Sequence, residues 1–238
     1  MGTRCVGILA RVPAYGRYLH AEVRQFLEEV VASVPVDYGG GSGSGKALVI
    51  ADLIANHGVC ETVEIGVYRG RSLLPVAAML RIIGSGVATG IDPWSVDEAL
   101  QEETHAVGAG VNEWVRSHPW EETYQSVVER IDGYHLAEHC RILRMTSEEA
   151  APQFADASVD LVHVDGNHDQ AAVERDVELY LPKLKPGGFL VLDDASWDSI
   201  RPVVEDLRGR LDHVFGLSDF LNLHEDQPND FAILRVRP

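Results

Sequence analysis

The sequence predicts an α/β fold, with a mostly parallel sheet, helices on both of its faces and an antiparallel hairpin at its C-terminal edge. From residue 62 onward, short apolar runs alternate with segments of helical periodicity, which is typical of parallel strands buried on both faces. Two last apolar runs, residues 214–217 and 231–236, are joined by the polar stretch 218–230 and predict the hairpin. With 45% hydrophobic residues, a chain of 238 residues can bury one full core.

The elements follow from the periodicity in chain order. Apolar residues at helical spacing predict an N-terminal accessory helix over residues 18–33, which Pro35 ends, and a second helix over 46–54. Thr146 and Glu149 have the spacing of a capping box at a helix start. The remaining predicted strands are 62–66, 87–92, 141–144, 159–165 and 188–193, and the remaining helices are 71–83, 147–153, 169–183 and 198–210. We therefore expect an accessory segment, residues 1–45, followed by the main domain, residues 46–238.

The glycine-rich run 39–45, followed by Lys46, imitates a phosphate-binding loop. However, Ala47 stands where a serine or threonine would hold magnesium, and no strand is predicted before the glycines. The run therefore predicts a flexible loop and not a nucleoside triphosphate site.

Residues 93–135 interrupt the alternation of strands and helices, and we expect inserted helices that form a lid. The aromatic and histidine side chains of this insertion either hold a substrate or pack the inserted helices onto the body; they are His105, Trp114, His118, Trp120 and Tyr124. Trp94 and Trp197 follow strand ends, and each either lines the substrate pocket or is a packing residue. The segment between residues 97 and 129 contains eight acidic residues but only one basic residue, Arg116. This excess of negative charge disfavours an anionic substrate and favours a neutral or cationic one.

Composition excludes several classes of function. A formal net charge of −17 opposes binding to nucleic acid, whose phosphates repel an acidic surface. Neither a membrane-spanning run nor a signal peptide is visible, so we expect a cytoplasmic protein without a membrane partner. The three cysteines, Cys5, Cys60 and Cys140, lie far apart and are expected to be reduced thiols.

A nucleotide-like cofactor is predicted where the first strand of the main domain turns into a helix. Glu64 lies in this strand, and Gly66 and Gly70 let the backbone approach a ligand at the helix N-terminus. The GxGxxG pattern of dinucleotide sites is absent, which disfavours NAD. Asp92 ends the next strand, where a carboxylate can accept hydrogen bonds from both hydroxyls of a ribose.

Three carboxylates, Asp165, Asp193 and Asp194, follow two later strands. The carboxyl ends of parallel strands meet at one edge of the sheet, and oxygen ligands together favour a hard cation such as Mg²⁺. Because adjacent strand residues point to opposite faces, Asp193 and Asp194 converge only if the chain has already turned. His168 lies three residues after Asp165 and is the candidate general base; alternatively it caps the helix or orients a ligand.

With these motifs the chain resembles the class I S-adenosylmethionine-dependent methyltransferases, in particular the metal-dependent O-methyltransferases that act on sugars of macrolide-type natural products. The resemblance covers residues 46–236. Glu64, Gly66 and Gly70 match the first motif of the family, and Asp92 matches its ribose-binding acid. The resemblance implies a Rossmann-like sheet of seven strands and places Thr146 and Ser147, with Met145, at the adenine.

The same resemblance implies roles for the second group of residues. Asp165, Asp193 and Asp194 match the metal ligands of the family, and His168 matches its base, so that His168 and Asp165 are the expected catalytic residues. The implied acceptor is a hydroxylated, glycosylated small molecule. Catechol O-methyltransferase is a more distant likeness, through the glycine-containing segment and its lysine, and suggests that residues 44–47 cover the cofactor.

Two other classes of function remain open from the sequence. His163, Asp165 and His168 also spell a two-histidine, one-carboxylate iron site, which is typical of oxygenases. His163 would then have to reach the iron from about 6 to 7 Å down the strand, which makes a buried, hydrogen-bonded histidine the favoured interpretation. The chain could also be a cofactor-binding protein that has lost the reaction, and the sequence leaves open whether it forms a homo-oligomer.

Overall fold

The computed structural model describes residues 19–36, 42–102, 110–215 and 230–238. Several sequence features lie wholly or partly outside these residues: Cys5, residue 18 of the predicted accessory helix, the first glycines of the glycine-rich run, Glu103, His105, residues 216–217 of a predicted strand and most of the polar stretch 218–230.

Within the described residues, seven strands form one sheet in the order β3-β2-β1-β4-β5-β7-β6. The strands are Glu61–Ile65 (β1), Val87–Ile91 (β2), Cys140–Leu143 (β3), Val159–Val164 (β4), Leu184–Asp193 (β5), Asp212–Phe215 (β6) and Phe231–Arg235 (β7). Strands β1 to β5 pair in parallel, whereas β7 runs antiparallel to both β5 and β6. The predicted fold class, including the C-terminal hairpin, is confirmed.

Helices cover the sheet, and each predicted helix is present. The α-helices are Ala21–Ala32 (α1), Ser44–His57 (α2), Leu73–Ile83 (α3), Val96–Ala99 (α4), Val111–Ser117 (α5), Trp120–Gly133 (α6), Ser147–Ala150 (α7), Gln170–Tyr180 (α8) and Arg201–Arg208 (α9). Along β5, Phe189 and Val191 enter one hydrophobic cluster while Leu190 and Leu192 enter another. Alternate residues of a strand point to opposite faces, so the core has two layers, one on each side of the sheet.

Helix α1 is packed onto the main domain. Leu27 and Val30 are fully buried. Arg71, two residues before α3, donates hydrogen bonds to the carbonyl oxygens of Val31 (2.8 Å), in the last turn of α1, and of Val34 (2.5 Å), which follows that helix. Arg71 therefore connects the C-terminal end of α1 to the main domain.

The insertion over residues 93–135 contains α4, α5 and α6 among its described residues. Helix α6 buries Val127 and Ile131 in the hydrophobic cluster that also contains Phe189 and Val191 of β5. It therefore serves as the crossover helix between the parallel strands β2 and β3. The residues before α6 border a cavity, and their movement as a lid stays a prediction. No helix in the described part of the chain has the length and apolar character needed to span a membrane.

Candidate active site

A cavity of about 880 Å³ lies at the carboxyl ends of the parallel strands. Eight of the predicted site residues line this cavity: Gly66, Asp92, Thr146, Ser147, Asp165, His168, Asp193 and Asp194. Glu64 and Gly70 do not line it. Open α/β sheets bind ligands at this edge, and the volume falls in the range of small-molecule sites.

The turn after β1 requires glycine at position 66. Gly66 has a φ of +85°, and a Cβ atom there would lie 2.0 Å from the carbonyl oxygen of Asp165. The Asp165 N–H in turn donates to the Ile65 carbonyl at 2.8 Å. The ends of β1 and β4 are thus in direct backbone contact, which only a residue without a side chain permits.

Asp92 holds this turn in place. One of its carboxylate oxygens accepts hydrogen bonds from the N–H groups of Val67 (3.0 Å) and Tyr68 (2.8 Å), and the other accepts from Trp94 N–H (2.7 Å). Burial raises the pKa of Asp92, and the three backbone donors act against that rise. The predicted ribose contact would therefore be made by a carboxylate that already fixes the shape of the turn.

Glu64 and Gly70 lie behind the cavity wall. Glu64 is buried; it accepts a hydrogen bond from Ser72 Oγ (2.8 Å), and its other oxygen lies 3.2 Å from His163 Nδ1. Gly70 has a φ of +80°, and a Cβ atom there would press on the Leu74 side chain at 3.1 Å. Because Glu64 and Gly70 do not line the cavity, they could affect cofactor binding only by shaping the turn after β1.

The loop after β3 carries the predicted adenine residues. Thr146 and Glu149 form the expected capping box, with Glu149 N–H donating to Thr146 Oγ1 (3.2 Å) and Thr146 N–H donating to Glu149 Oε2 (3.0 Å). Ser147 Oγ donates to Asp176 Oδ1 at 2.5 Å. Burial raises the pKa of Asp176 to about 6. The buried carboxyl group of Asp176, on α8, therefore lines this end of the cavity.

Lys46, in the first turn of α2, lies between two of the predicted metal ligands. Its Nζ atom is 2.6 Å from Asp193 Oδ2 and 3.1 Å from Asp165 Oδ2, and the side chain is 1% exposed. Burial lowers the pKa of Lys46, but the two carboxylates more than offset this effect and the pKa is raised, so the ammonium is charged. Burial also raises the pKa of Asp165. Burial acts in the same direction on Asp193, but the Lys46 ammonium, His163 and the side-chain hydrogen bonds together outweigh it, so the pKa of Asp193 is lowered.

His168 faces the cavity beside the third predicted ligand. Its Nε2 atom lies 3.0 Å from Asp194 Oδ2 and 3.9 Å from Asp165 Oδ1, and its ring packs at 4.8 Å from the ring of Trp197. The Nε2 atom is at hydrogen-bond distance from Asp194 but lacks the alignment, so it has no hydrogen bond among the described residues. Asp194 has a φ of +48°. The chain has turned there, and both Asp193 and Asp194 face the cavity.

His163 is buried under this site. Its Nδ1 atom pairs with Glu64, and its Nε2 atom is 3.7 Å from Asp165 Oδ2. His163, Asp165 and Asp193 bring possible ligand atoms within 4.8 Å of one another. The grouping differs from the iron triad considered above, because His168 is directed to Asp194 instead.

Magnesium does not fit between Asp165 and Asp193 as these side chains stand. The carboxylate oxygens are suitable hard ligands, but the ammonium of Lys46 already lies between them. A divalent ion at about 2.1 Å from both oxygens would lie in close contact with that ammonium. The assignment of Asp165, Asp193 and Asp194 to a metal thus stays a prediction from the sequence.

From the sequence, Lys46 was expected only in a segment that covers the cofactor, whereas the structure places its ammonium between Asp165 and Asp193. Asp230 is a charged residue of the site that sequence reasoning missed. Asp230 directly precedes β7 and is buried; its Oδ2 atom accepts from Ser196 N–H at 2.7 Å, and its Oδ1 atom has no hydrogen bond within the described ranges. The antiparallel register, which pairs Phe231 with Asp193, brings Asp230 to the cavity.

Aromatic side chains close one side of the cavity. Tyr68, Trp114, His118 and Trp120 contact one another with ring centroids 4.6 to 6.1 Å apart, and both tryptophans line the cavity. Trp94 instead is buried and donates its Nε1–H to the Tyr68 carbonyl at 2.8 Å, so it is a packing residue.

Known proteins share both sequence and fold with this chain. A rhamnosyl-tetracenomycin-C 4'-O-methyltransferase of Streptomyces olivaceus is 28% identical over 165 residues, which are 67% of this chain and 60% of the relative; the chain thus spans less than two thirds of that protein. The O-methyltransferase TomG of Streptomyces achromogenes, solved with S-adenosylmethionine, has a TM-score of 0.58 at 15% identity, covering 92% of both chains.

The methyltransferase PaMTH1 of Podospora anserina, solved with S-adenosylhomocysteine, has a TM-score of 0.59 at 14% identity, covering 100% of this chain and 99% of the other. These likenesses support the fold.

The family model described as a methyltransferase domain matches residues 63–195, which is more than half of the chain. This stretch begins in β1 and ends just after Asp194, so it contains both groups of predicted site residues. The chain therefore belongs to the methyltransferase domain family, as its sequence predicts.

Proposed function

We propose that the protein transfers the methyl group of S-adenosylmethionine to a hydroxyl oxygen of a small-molecule natural product, with a sugar hydroxyl as the acceptor. The observation that carries this proposal is the meeting of two features in one cavity. The glycine turn after β1 lies at one end, and His168, with its Nε2 atom lacking a hydrogen bond among the described residues, lies beside the carboxylates at the other. A methyl donor and a hydroxyl held by these two features would be adjacent.

The cofactor is assigned to the end of the cavity formed by the turn and the loop after β3. The turn at Gly66 passes close to the ligand, Asp92 would face the ribose, and Thr146 with Ser147 would border the adenine. Support comes from TomG and PaMTH1, which share the fold and were solved with S-adenosylmethionine and S-adenosylhomocysteine. S-adenosylmethionine supplies an electrophilic methyl group on a sulfonium when it is bound.

The chemistry requires one proton transfer and one displacement. His168 Nε2 accepts the proton of the acceptor hydroxyl, and the oxygen attacks the methyl carbon. With S-adenosylmethionine bound, a C–O bond would form as the C–S bond breaks, and the electron pair of the C–S bond would stay on the sulfur of the S-adenosylhomocysteine that leaves. Asp194, 3.0 Å from His168 Nε2, favours the imidazolium that results. The proton then passes from His168 to solvent.

The acceptor is proposed to be neutral or cationic. Asp194 and the buried Asp230 border the reacting end, and Glu98 lies on the cavity wall. Trp114, Trp120 and Trp197 offer apolar faces of the kind that sugars and aromatic aglycones stack on. The relative from Streptomyces olivaceus is named for the 4'-O-methylation of a rhamnosyl group, which supports a sugar acceptor for this chain.

The sequence also predicts that the reaction depends on Mg²⁺. Asp165, Asp193 and Asp194 supply the oxygen ligands that such an ion takes. An ion bound there would have to displace Lys46 from Asp165 and Asp193, and the proposed chemistry above does not depend on it.

The test is a methyl-transfer assay with S-adenosylmethionine that carries a deuterated methyl group. Purified protein is incubated with matched pairs of glycosylated and sugar-free acceptors, and products are analysed by mass spectrometry. We expect the label on a sugar oxygen of the glycosylated member, and labelling slower by about 100-fold or more when His168→Gln protein is used. Label on carbon or nitrogen, label on the aglycone alone, or oxygen-dependent hydroxylation without the cofactor would contradict the proposal. Cofactor binding without transfer to any acceptor would favour the non-catalytic alternative.

A further inference from the structure

The two strand-end carboxylates of the reacting site already have a cation between them. Lys46 Nζ is within 3.1 Å of both Asp165 and Asp193, at hydrogen-bond distance in each case. Its side chain is 1% exposed, which makes it one of the largest fully buried side chains of the described residues. A lysine is seldom buried to this degree unless it is paired.

The surroundings fix the ammonium in this position. Lys46 lies in the first turn of α2, and its neighbours Gly45, Ala47, Leu48 and Val49 are all buried, so the helix itself is packed against the body. To make room for another cation, the ammonium would have to leave both carboxylates while its stem stays in the core. Breaking a buried ion pair in this way is strongly unfavourable, because it leaves an uncompensated charge.

We infer that Lys46 is the resident cation of the reacting site, that it takes the place the sequence assigned to Mg²⁺, and that the protein needs no divalent metal. This inference rests on the proposed function, in which Asp165 and Asp193 lie beside the reacting atoms. Lys46 is a positioning residue in this account: it ties the ends of β4 and β5 together, from which the segments bearing His168 and Asp194 start.

The other two lysines of the chain provide the contrast. Lys183 pairs with the exposed Asp156, and Lys185, whose side chain is 40% exposed, pairs with Asp160 at 2.8 Å. Neither lines the cavity. Lys185→Gln is therefore a matched control for Lys46→Gln. Each substitution removes one positive charge and the lysine–aspartate ion pairing at its position, but Lys185 lies outside the cavity.

The experiment measures metal binding directly, with Mg²⁺ alone and Mn²⁺ alone as probes. Chelator-treated wild-type, Lys46→Gln and Lys185→Gln proteins are titrated by calorimetry, and Mn²⁺ binding is followed in parallel by its electron paramagnetic resonance signal. We expect no saturable binding by the wild type and Lys185→Gln up to millimolar metal. Lys46→Gln should gain one Mn²⁺ site, because Asp165 and Asp193 then lack a cation. Saturable Mg²⁺ binding by the wild type that Asp193→Asn abolishes, or no gain in folded Lys46→Gln, would overturn the inference.

A second measurement needs only the wild-type protein and keeps the inference testable if Lys46→Gln does not fold. Reductive methylation followed by peptide mass spectrometry reports which lysines are accessible. Lys185 should react and Lys46 should stay protected, equally with and without Mg²⁺. Reaction of Lys46 that appears on adding Mg²⁺ would show displacement by the metal and contradict the inference. Because neither measurement uses an acceptor or turnover, its outcome is separate from that of the methyl-transfer assay.

Discussion

The two ends of the cavity satisfy their polar groups in opposite ways. At the cofactor end, defined by the turn at residues 66–70 with Asp92 and the loop residues 146–147, side chains accept from backbone N–H groups or from one another. At the reacting end, defined by Lys46, Asp165, His168, Asp193 and Asp194, the buried lysine and half-buried ionisable side chains face each other instead. There His168 Nε2 has no hydrogen bond among the described residues.

In the proposed function, this difference separates cofactor binding from the chemical step. A ring of backbone contacts gives the cofactor end a fixed shape, which suits a surface that must match one ligand. Buried charges with incomplete partners perturb the pKa values of their neighbours and leave atoms available for proton transfer, which suits the reacting end. Changes at the first end are therefore expected to alter stability and affinity, and changes at the second to alter rate.

The largest effect is expected from Gly66→Ala. The added Cβ atom would lie 2.0 Å from the Asp165 carbonyl oxygen at a φ of +85°, so the contact between β1 and β4 must open. We expect a loss of about 3 kcal/mol or more in the free energy of unfolding, and no measurable binding of S-adenosylmethionine. Urea unfolding and calorimetry measure the two effects. Gly133→Ala is the control, because nothing lies within 4 Å of the added atom; equal stability of the two variants would refute the packing argument.

Asp92→Asn is expected to have the next largest effect. An asparagine keeps one acceptor oxygen, so its NH₂ group would face one or more of the N–H groups of Val67, Tyr68 and Trp94. We expect a loss of about 2 kcal/mol in stability and a roughly tenfold weaker affinity for the cofactor. Asp97→Asn, on the exposed start of α4, should change neither. An Asp92→Asn protein with wild-type stability would show that the carboxylate does not organise the turn.

Asp176→Asn is expected to give a smaller change of opposite sign. Because burial raises the pKa of Asp176 from 3.8 to about 6, the folded protein binds the proton more tightly than the unfolded chain. The contribution of Asp176 to stability therefore falls as pH rises from about 4 to about 6, and stays low above that. Asparagine removes the charge and can still accept from Ser147 Oγ.

The variant should be more stable than the wild type by about 1 to 2 kcal/mol at pH 8, with the gain vanishing below about pH 4. Thermal unfolding across this pH range measures it, with the exposed Asp156→Asn as control. A gain that does not depend on pH would contradict the assignment to the Asp176 charge.

The same contrast explains what could be predicted from the sequence. The cofactor end is formed by residues close together in the sequence, namely glycines at a strand end and the capping box of Thr146 and Glu149. Such local structure can be predicted from short sequence patterns. The two C-terminal strands and their antiparallel pairing were also predicted, because β6 and β7 are short apolar runs after the last parallel strand.

The reacting end depends on pairings between residues far apart in the chain. Lys46 is separated from Asp193 by 147 positions, and Asp230 reaches the cavity only because β7 pairs antiparallel with β5. No spacing in the sequence encodes such a contact. The carboxylates were located correctly at the sheet edge, but the partner that neutralises two of them could be found only from the fold.

The most direct test compares cofactor affinity and methyl transfer in wild-type and His168→Gln protein. Calorimetry with S-adenosylmethionine gives the affinity, and release of S-adenosylhomocysteine with a labelled acceptor gives the rate, with the exposed His20→Gln as control. If His168 is the base and the cofactor end binds independently, the affinity stays within about twofold while kcat falls about 100-fold to 10,000-fold. A wild-type rate in His168→Gln, or a loss of affinity as large as the loss of rate, would contradict the separation of binding from chemistry.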